Sequence, residues 1–175
     1  LGETIFSAGQ DFQNTVYFNG FGGEWTLLDE FTISNSSEIY HYSGTIFTND
    51  QTINVGGIRC FFNSVNSQGA LNLGASVIHI TSTYGYFLIY NSGPNPIVDA
   101  GTSTIIFESS TYGYLYACNE SLYDVIFKGQ RSYLACSGQR FHSVKFERNG
   151  EIEGSNTYDN LTFTAGFTYI ISANN

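Results

Sequence analysis

Hydrophobic and polar residues alternate along short runs that recur through the second half of the chain. Three six-residue segments share an aromatic residue or leucine first, Val or Leu fourth and Phe last: Leu122–Phe127, Phe141–Phe146 and Tyr158–Phe163. Alternation with a period of two is typical of β-strands that bury one face. The fourth and sixth positions are therefore predicted to point into a core.

The closing phenylalanine recurs at a regular distance. Its positions are spaced by 20, 19 and 17 residues, at Phe107, Phe127, Phe146 and Phe163. A longer repeat comes earlier, since Gly101–Tyr114 repeats Gly74–Tyr86 with one residue inserted. Repetition at this period is typical of solenoids. It predicts an all-β, right-handed parallel β-helix of roughly eight coils, each of 17–28 residues.

The repeats indicate a single domain over residues 1–175, with N-terminal coils or a cap at 1–43 and repeat coils at 44–172. Of the 175 residues, 42% are hydrophobic and 12% charged, so the chain can bury a full core. Abundant Gly, Tyr, Phe, Asn, Ser and Thr favour strands and turns over helices.

Charge and hydropathy exclude two kinds of partner. The net charge is -9 with six Lys plus Arg, so nucleic acid is not expected to bind. No stretch approaches the ~20 apolar residues of a membrane span, so no membrane insertion is expected. Five basic residues nevertheless lie close in sequence: Lys128, Arg131, Arg140, Lys145 and Arg148. They indicate either a solvated face balanced by glutamates or a site for an acidic glycan or subunit.

The three cysteines cannot all pair within one chain. Cys118 and Cys136 lie 18 residues apart, about one coil, so they can stack on adjacent rungs and form a disulfide. Three free thiols are the alternative, and Cys60 is unpaired in either case. The chain has no Cys-x-x-Cys and its histidines are scattered, so neither a metal site nor a cofactor is expected.

Two further kinds of site follow from motifs. Sequons begin at Asn35, Asn119 and Asn160, and they matter only if the source glycosylates proteins and these residues face solvent. A parallel β-helix also suits polysaccharide-cleaving enzymes, which use paired carboxylates. The acids near the repeated strands are Asp99, Glu108, Asp124 and Asp159. They show no catalytic spacing, so no catalytic residue is expected.

Tyrosines are the most informative candidate residues. Strand alternation puts each of two sets on one face: Tyr84, Tyr86 and Tyr90, and Tyr112, Tyr114 and Tyr116. Phe87 and Ile89, or Leu115 and Ala117, then occupy the opposite face. Both faces are apolar, so one lines the core. The other is covered within the chain or stacks as a ladder, packs against a subunit, or binds sugar.

The two termini suggest a neighbour. The chain opens at Leu1 rather than Met, which indicates a mature or excised piece of a longer protein. Residues 168–172 are predicted to form a strand with no cap after it. An uncapped strand exposes an edge, so another coil, domain or subunit is expected to continue the stack, including by self-association.

Several segments resemble the recurring phrases of large, repetitive bacterial surface proteins: Gly44–Gly56, Leu71–Ile80, Ala100–Phe107 and Gly154–Gly166. These are the secreted parallel β-helix proteins of Bacteroidetes-type bacteria and related phage or metagenomic proteins. The resemblance covers residues 44–172 and implies an extracellular, cell-surface or fibre-forming protein, often an adhesin. The expected function is thus a structural or adhesive module without catalysis. The alternatives are a carbohydrate-binding module that uses the tyrosines and a polysaccharide-cleaving enzyme.

Overall fold

The computed structural model describes residues 2–34, 36–62, 69–91, 97–135 and 137–172. Within these ranges the chain forms eighteen strands and no helix. In chain order they are β1 (Glu3–Ile5), β2 (Val16–Leu27), β3 (Phe31–Thr32), β4 (Glu38–Phe47), β5 (Thr52–Val55), β6 (Gly57–Phe62), β7 (Gly69–Asn72), β8 (Val77–Ile80), β9 (Tyr84–Asn91), β10 (Val98–Asp99), β11 (Thr104–Phe107), β12 (Tyr112–Ala117), β13 (Ser121–Phe127), β14 (Arg131–Ala135), β15 (Arg140–Phe146), β16 (Asn149–Glu153), β17 (Thr157–Phe163) and β18 (Tyr169–Ser172).

The strands stack in parallel into two sheets, which makes a β-solenoid of about seven turns. Sheet I has the order β1-β2-β4-β6-β9-β12-β14-β16-β18, with β7 and β10 attached beside β4. Sheet II has the order β3-β5-β8-β11-β13-β15-β17. The chain passes from one sheet to the other in each coil, and each coil pairs with the next. The predicted all-β parallel β-helix is therefore confirmed.

The closing phenylalanines form one interior row of sheet II. Strand register aligns Phe107, Phe127, Phe146 and Phe163 on adjacent strands. The first three are fully buried, and successive ring centroids lie 4.7, 4.7 and 5.7 Å apart. These distances are close to the strand separation of ~4.8 Å, so each ring stacks on the next. The predicted repeat register is confirmed.

The two longer repeats lie on adjacent coils in the same register. Strand β11 pairs with β8 along its whole length, and β12 pairs with β9. Gly74 lies in the turn before β8 and Gly101 in the turn before β11, with φ of +54° and +52°. A Cβ atom on Gly101 would clash with the backbone of Gly74. The stacked turns therefore require glycine for both its conformation and its size.

Coil length changes in the middle of the solenoid. Register aligns Ile53 with Ile78 and Ile78 with Ile105, which are offsets of 25 and 27 residues. The next offset, from Ile105 to Val125, is only 20 residues. The long coils carry an extra short side formed by β7 and β10, which pair with each other.

A buried carboxylate binds the backbone of the short side at the last long coil. Strand β10 pairs only with β7 among the described strands. The backbone N–H groups of Ile97 and Val98 instead donate to Glu120 Oε2, both at 3.0 Å. The Glu120 side chain is fully buried. It takes the place of the carbonyl groups that a further strand would supply.

The two ends of the described solenoid differ. At the N-terminal end, β1 pairs with residues 25–27 of β2, and Phe12 bridges to Ile33 next to β3. At the C-terminal end, β17 and β18 are the outermost strands. Ile171 is aligned with the buried Ile152 yet is 61% exposed. The strand predicted near residues 168–172 is thus present as β18, with an apolar interior position open to solvent.

Candidate functional site: an outward aromatic face

The six tyrosines singled out in the sequence lie on the outer side of sheet I. By strand, they are Tyr84, Tyr86 and Tyr90 on β9 and Tyr112, Tyr114 and Tyr116 on β12. Phe87, Ile89, Leu115 and Ala117 alternate with them and are at most 1% exposed. Tyr84 is 56% exposed and the other five tyrosines are half-buried. The core thus occupies one face of these strands, and the tyrosines occupy the other together with the buried Leu88.

Five more aromatic residues extend the same surface. They are Tyr17, Tyr40, Tyr42, Phe61 and Tyr133, which contact the six tyrosines or one another. Together these eleven side chains are named the aromatic face. The added residues lie outside the repeated tyrosine motifs, so repetition does not reveal them. For Tyr40 alternation does, because Ile39 and His41 are buried on either side of it.

The rings of the aromatic face form two stacks. The longer stack crosses five strands with centroid distances of 5.4, 5.8, 5.4 and 5.3 Å, through Tyr17, Tyr40, Phe61, Tyr90 and Tyr116. In the shorter stack, Tyr114 stacks on Tyr133 at 5.3 Å and on Tyr112 at 6.1 Å, and Tyr86 meets it edge to face at 6.2 Å. Rings on adjacent strands mostly turn their faces toward each other along the solenoid axis. Ring edges and hydroxyl groups therefore point to solvent.

One ion pair is embedded in this surface. Arg59 Nε and Nη2 donate to the two carboxylate oxygens of Glu38 at 2.6 and 3.0 Å. The Arg59 guanidinium lies 4.6 Å from the ring centroid of Tyr86, a cation–π contact. The hydrogen bonds to Glu38 raise the pKa of Arg59. Because the two charges cancel, the pair adds no net charge to the aromatic face.

The hydroxyl groups of Tyr112, Tyr114 and Tyr133 have raised pKa values. The Tyr133 hydroxyl donates to Glu153 Oε2. This hydrogen bond is the main cause, and burial the second, of a pKa of Tyr133 well above its ordinary value. Burial raises the pKa of Tyr112 and Tyr114, and their charged or tyrosine neighbours add to the effect at Tyr114. At physiological pH these groups are hydrogen-bond donors and acceptors without charge.

The basic residues that are close in sequence do not form a free basic patch. Four of them each meet a carboxylate, in the pairs Lys128–Glu108, Arg131–Glu151, Arg140–Asp159 and Lys145–Glu147, at 3.2, 3.3, 3.6 and 2.8 Å. Arg148 is exposed. This arrangement favours the interpretation as a solvated face with balanced charge over a site for an acidic partner.

The four acids considered for catalysis lie in separate settings. Burial raises the pKa of Glu108, but hydrogen bonds from Lys128 and His79 outweigh it, and the net direction is downward. Asp124 lies 2.8 Å from His142 Nδ1. Asp99 and Asp159 line one groove beside sheet II. None of these contacts joins two carboxylates.

The cysteines differ in state. Cys60 is a free, fully buried thiol, and its Sγ lies 3.9 Å from His41 Nδ1. Burial raises the pKa of the Cys60 thiol, which makes it a poor nucleophile. Cys118 is disulfide-bonded. Cys136 lies outside the described residues, so the Cys118–Cys136 pairing stays a prediction.

Two of the three sequon asparagines are described. Asn119 is exposed in the turn after β12, with φ of +61°. Asn160 is exposed on β17. Both side chains are therefore accessible to a modifying enzyme, whereas Asn35 lies outside the described residues.

Comparison of the chain with protein-family models, with curated proteins and with solved structures found no match. In the described ranges, no helix is long and apolar enough to span a membrane. The same ranges contain no group of three or more His, Cys, Asp or Glu residues arranged to hold a metal ion.

Proposed function

We propose that the protein is an extracellular structural or adhesive β-solenoid module that acts through surface contact and not through catalysis. The aromatic face carries this proposal. Eleven aromatic side chains lie on the outside of one sheet, and ten of them form two groups of contacting rings. Large apolar patches of this kind mark interaction surfaces. Tyrosine suits such a surface because its ring buries apolar area while its hydroxyl hydrogen-bonds at the rim.

The partner that fits this face is a second copy of the chain, packed side to side. With a net charge of -9, two copies repel each other over most of their surface. The aromatic face is the place where they can approach with the least repulsion. It crosses six strands, so it is ~24 Å long. Two such faces would bury about 1,000 Å² in total, the lower limit for a specific interface, so the association is weak.

Ring geometry favours protein contact over the sugar-binding alternative on this face. A saccharide platform presents an open ring face to the sugar, whereas these stacked rings use their faces on each other. Phe61, for example, stacks at 5.4 Å on both Tyr42 and Tyr90. Exposed edges and hydroxyl groups remain, and these suit a flat protein surface.

The C-terminal edge supports a second contact of the same kind. Ile170 and Ile171 are 51% and 61% exposed on β18, an outermost strand. Such an edge pairs with further β-structure, whether a coil, a domain or a subunit. End-to-end stacking of this kind would extend the solenoid, and side-to-side packing would bundle it.

A charge placed within the aromatic face tests the proposal. Tyr114 is half-buried in the middle of the shorter stack. Tyr114→Glu is expected to abolish the association that the wild-type chain shows in sedimentation equilibrium between about 10 µM and 1 mM, the range of a weak interface. Its circular dichroism spectrum is expected to match the wild type.

The matched control is Ile126→Glu, on the outside of sheet II beside Lys145. It adds the same charge to a half-buried outer position and is expected to associate like the wild type. A wild-type chain that stays monomeric throughout the range contradicts the proposal. So does a Tyr114→Glu chain that unfolds while Ile126→Glu folds, because the tyrosines would then be core residues.

A further inference from the structure

A groove lies beside sheet II, where the long coils give way to short ones. Residues 98–101 of the last long coil form one side. The other side is formed by side chains of the shorter coils, namely Ser121, Tyr123, Arg140, His142 and Asp159. The groove has a volume of about 370 Å³. This lies within the ~300–1,000 Å³ that is usual for small-ligand sites.

The side formed by the long coil is fixed before any ligand binds. Glu120 holds the backbone N–H groups of Ile97 and Val98 through its buried carboxylate. The Asp99 Oδ1 atom accepts the N–H of Gly101 at 3.3 Å. A groove with fixed walls loses little conformational entropy on binding.

The opposite side carries an oriented aromatic pair. The rings of Tyr123 and His142 stack with centroids 4.2 Å apart and planes 12° apart. His142 Nδ1 lies 2.8 Å from Asp124 Oδ1, so this nitrogen carries the proton and donates to the carboxylate. The second ring nitrogen, Nε2, has no hydrogen-bond partner in the part of the chain that the structure describes.

Polar groups of both signs are available beside this pair. Arg140 Nη2 lies 3.6 Å from Asp159 Oδ1, and the two side chains are 67% and 48% exposed. An exposed ion pair of this length is weak, so a ligand can compete for both partners. Arg140 offers hydrogen-bond donors, whereas Asp159 and Asp99 offer acceptors.

We propose that this groove binds a neutral oligosaccharide that lies along the solenoid axis. Sugar hydroxyl groups donate to Asp99 and Asp159 and accept from Arg140. Among the described residues Tyr123 stacks on one ring only, so the face that it turns away from His142 supplies apolar contact to the sugar carbons. Ala100 and Gly101 on the facing side leave width for a pyranose ring. Adjacent strands are ~4.8 Å apart, close to the length of one pyranose unit, so successive coils meet successive units.

Charge decides between neutral and acidic sugars. Two acids, Asp99 and Asp159, face one base, Arg140, in the lining of this groove, and the whole chain has a net charge of -9. An acidic glycan is therefore repelled. The groove lies beside sheet II, whereas the aromatic face lies on sheet I, so the sugar site is separate from the proposed contact surface. It would let the protein adhere to a glycan independently of contacts between copies.

Titration of the isotope-labelled chain with cellohexaose, xylohexaose and mannohexaose, followed by NMR, tests the proposal. At least one of the three is expected to shift the backbone amide signals of residues 98–101, 121–123 and 140–142 in a saturable manner. Arg140→Ala and Asp159→Asn are each expected to weaken that binding about tenfold, since each removes a charge-assisted hydrogen bond. Both residues are exposed, so thermal unfolding is expected to stay unchanged.

Tyr114→Glu is the control, because it disrupts the aromatic face and is expected to leave sugar binding intact. The proposal is overturned if none of the three neutral hexaoses shifts these signals. It is also overturned if hexagalacturonate binds more tightly than they do. Binding that survives Arg140→Ala and Asp159→Asn but is lost in Tyr114→Glu would assign the sugar to the aromatic face instead.

Discussion

The Phe146 ring lies inside the row of closing phenylalanines of sheet II, between Phe127 and Phe163. Its centroid lies 4.7 Å from that of Phe127 and 5.7 Å from that of Phe163. Phe146→Ala is expected to lower the free energy of unfolding by about 3–5 kcal/mol, because the cavity cannot close between stacked coils. Denaturant titration measures the loss. Lys145→Ala, one residue away and pointing outward, is the control, and a loss below about 1 kcal/mol for Phe146→Ala contradicts the register.

His41 couples stability to pH. The ring is fully buried, and its Nε2–H donates to the Gly44 carbonyl at 2.8 Å. Burial lowers the pKa of His41 from 6.5 to about 4. Between these values the unfolded chain binds a proton that the folded chain does not. Stability is therefore expected to fall by about 3 kcal/mol as the pH drops from ~6.5 to ~4.

Denaturant titration at several pH values checks this expectation against a His41→Gln chain. The variant lacks the titrating ring, so its stability is expected to fall less steeply over the same pH range, while the carboxylates contribute equally to both chains. Identical pH dependence of the two chains would show that His41 does not titrate as its burial requires.

Cys118 is disulfide-bonded, whereas Cys60 is a free thiol. Non-reducing peptide mapping is expected to recover a Cys118–Cys136 peptide. Cys60 is expected to react with alkylating reagent only after unfolding, because its thiol is fully buried. Recovery of Cys60 in a bridge would refute both the pairing and the placement of Cys60 in the core.

At the scale of elements, Glu120 holds the short side of the long coils. Glu120→Ala leaves the N–H groups of Ile97 and Val98 without their carboxylate partner. The expected loss of stability is about 2–5 kcal/mol, since an unsatisfied buried donor costs roughly 1–3 kcal/mol. Hydrogen exchange at Ile97 and Val98 is expected to accelerate. Glu147→Ala, at a surface ion pair, is the control, and an equal loss in both variants contradicts this role for Glu120.

The elements that repeat could be predicted from the sequence. Alternation over residues 125–127 and 144–146 places the closing core side chains of sheet II correctly, because a period of two has one meaning on a β-strand. Leu122 and Phe141 are buried three residues earlier, out of that period. The spacing of the closing phenylalanines likewise fixes which strands pair. Both signals are local and repeated, so they need no knowledge of distant contacts.

The elements that occur once could not be predicted in the same way. Glu120 has its role because, among the described strands, β10 has no next one to pair with at the point where coil length changes. A buried carboxylate that occurs once does not form a repeating pattern in the sequence. The groove needs the same change in coil length together with residues from four coils. Tyr17 and Tyr133 join the aromatic face only through contacts between strands. These features arise when coils stack on each other, and the sequence of one segment does not show which side chains of other coils it will contact.

At the scale of the whole molecule, charge and apolar surface are separated. The net charge is -9, yet within the aromatic face Arg59 pairs with Glu38, and the hydroxyl groups of Tyr112, Tyr114 and Tyr133 stay protonated because their pKa values are raised. The groove beside sheet II combines apolar lining with the charged side chains of Asp99, Asp159 and Arg140. The two proposals therefore concern two separate surfaces, one for contact between copies and one for a neutral, hydroxyl-rich ligand.

Hydroxyl-radical footprinting as a function of protein concentration tests the contact role of the aromatic face most directly, because it reports on individual tyrosines. Tyr114 and Tyr116 are expected to be oxidised several-fold more slowly near 1 mM than near 10 µM, the span over which a weak interface forms. Tyr123, in the groove beside sheet II, is expected to react at one rate throughout. Equal oxidation of Tyr114 and Tyr116 at both concentrations, or equal protection of Tyr123, would contradict a contact surface at the aromatic face.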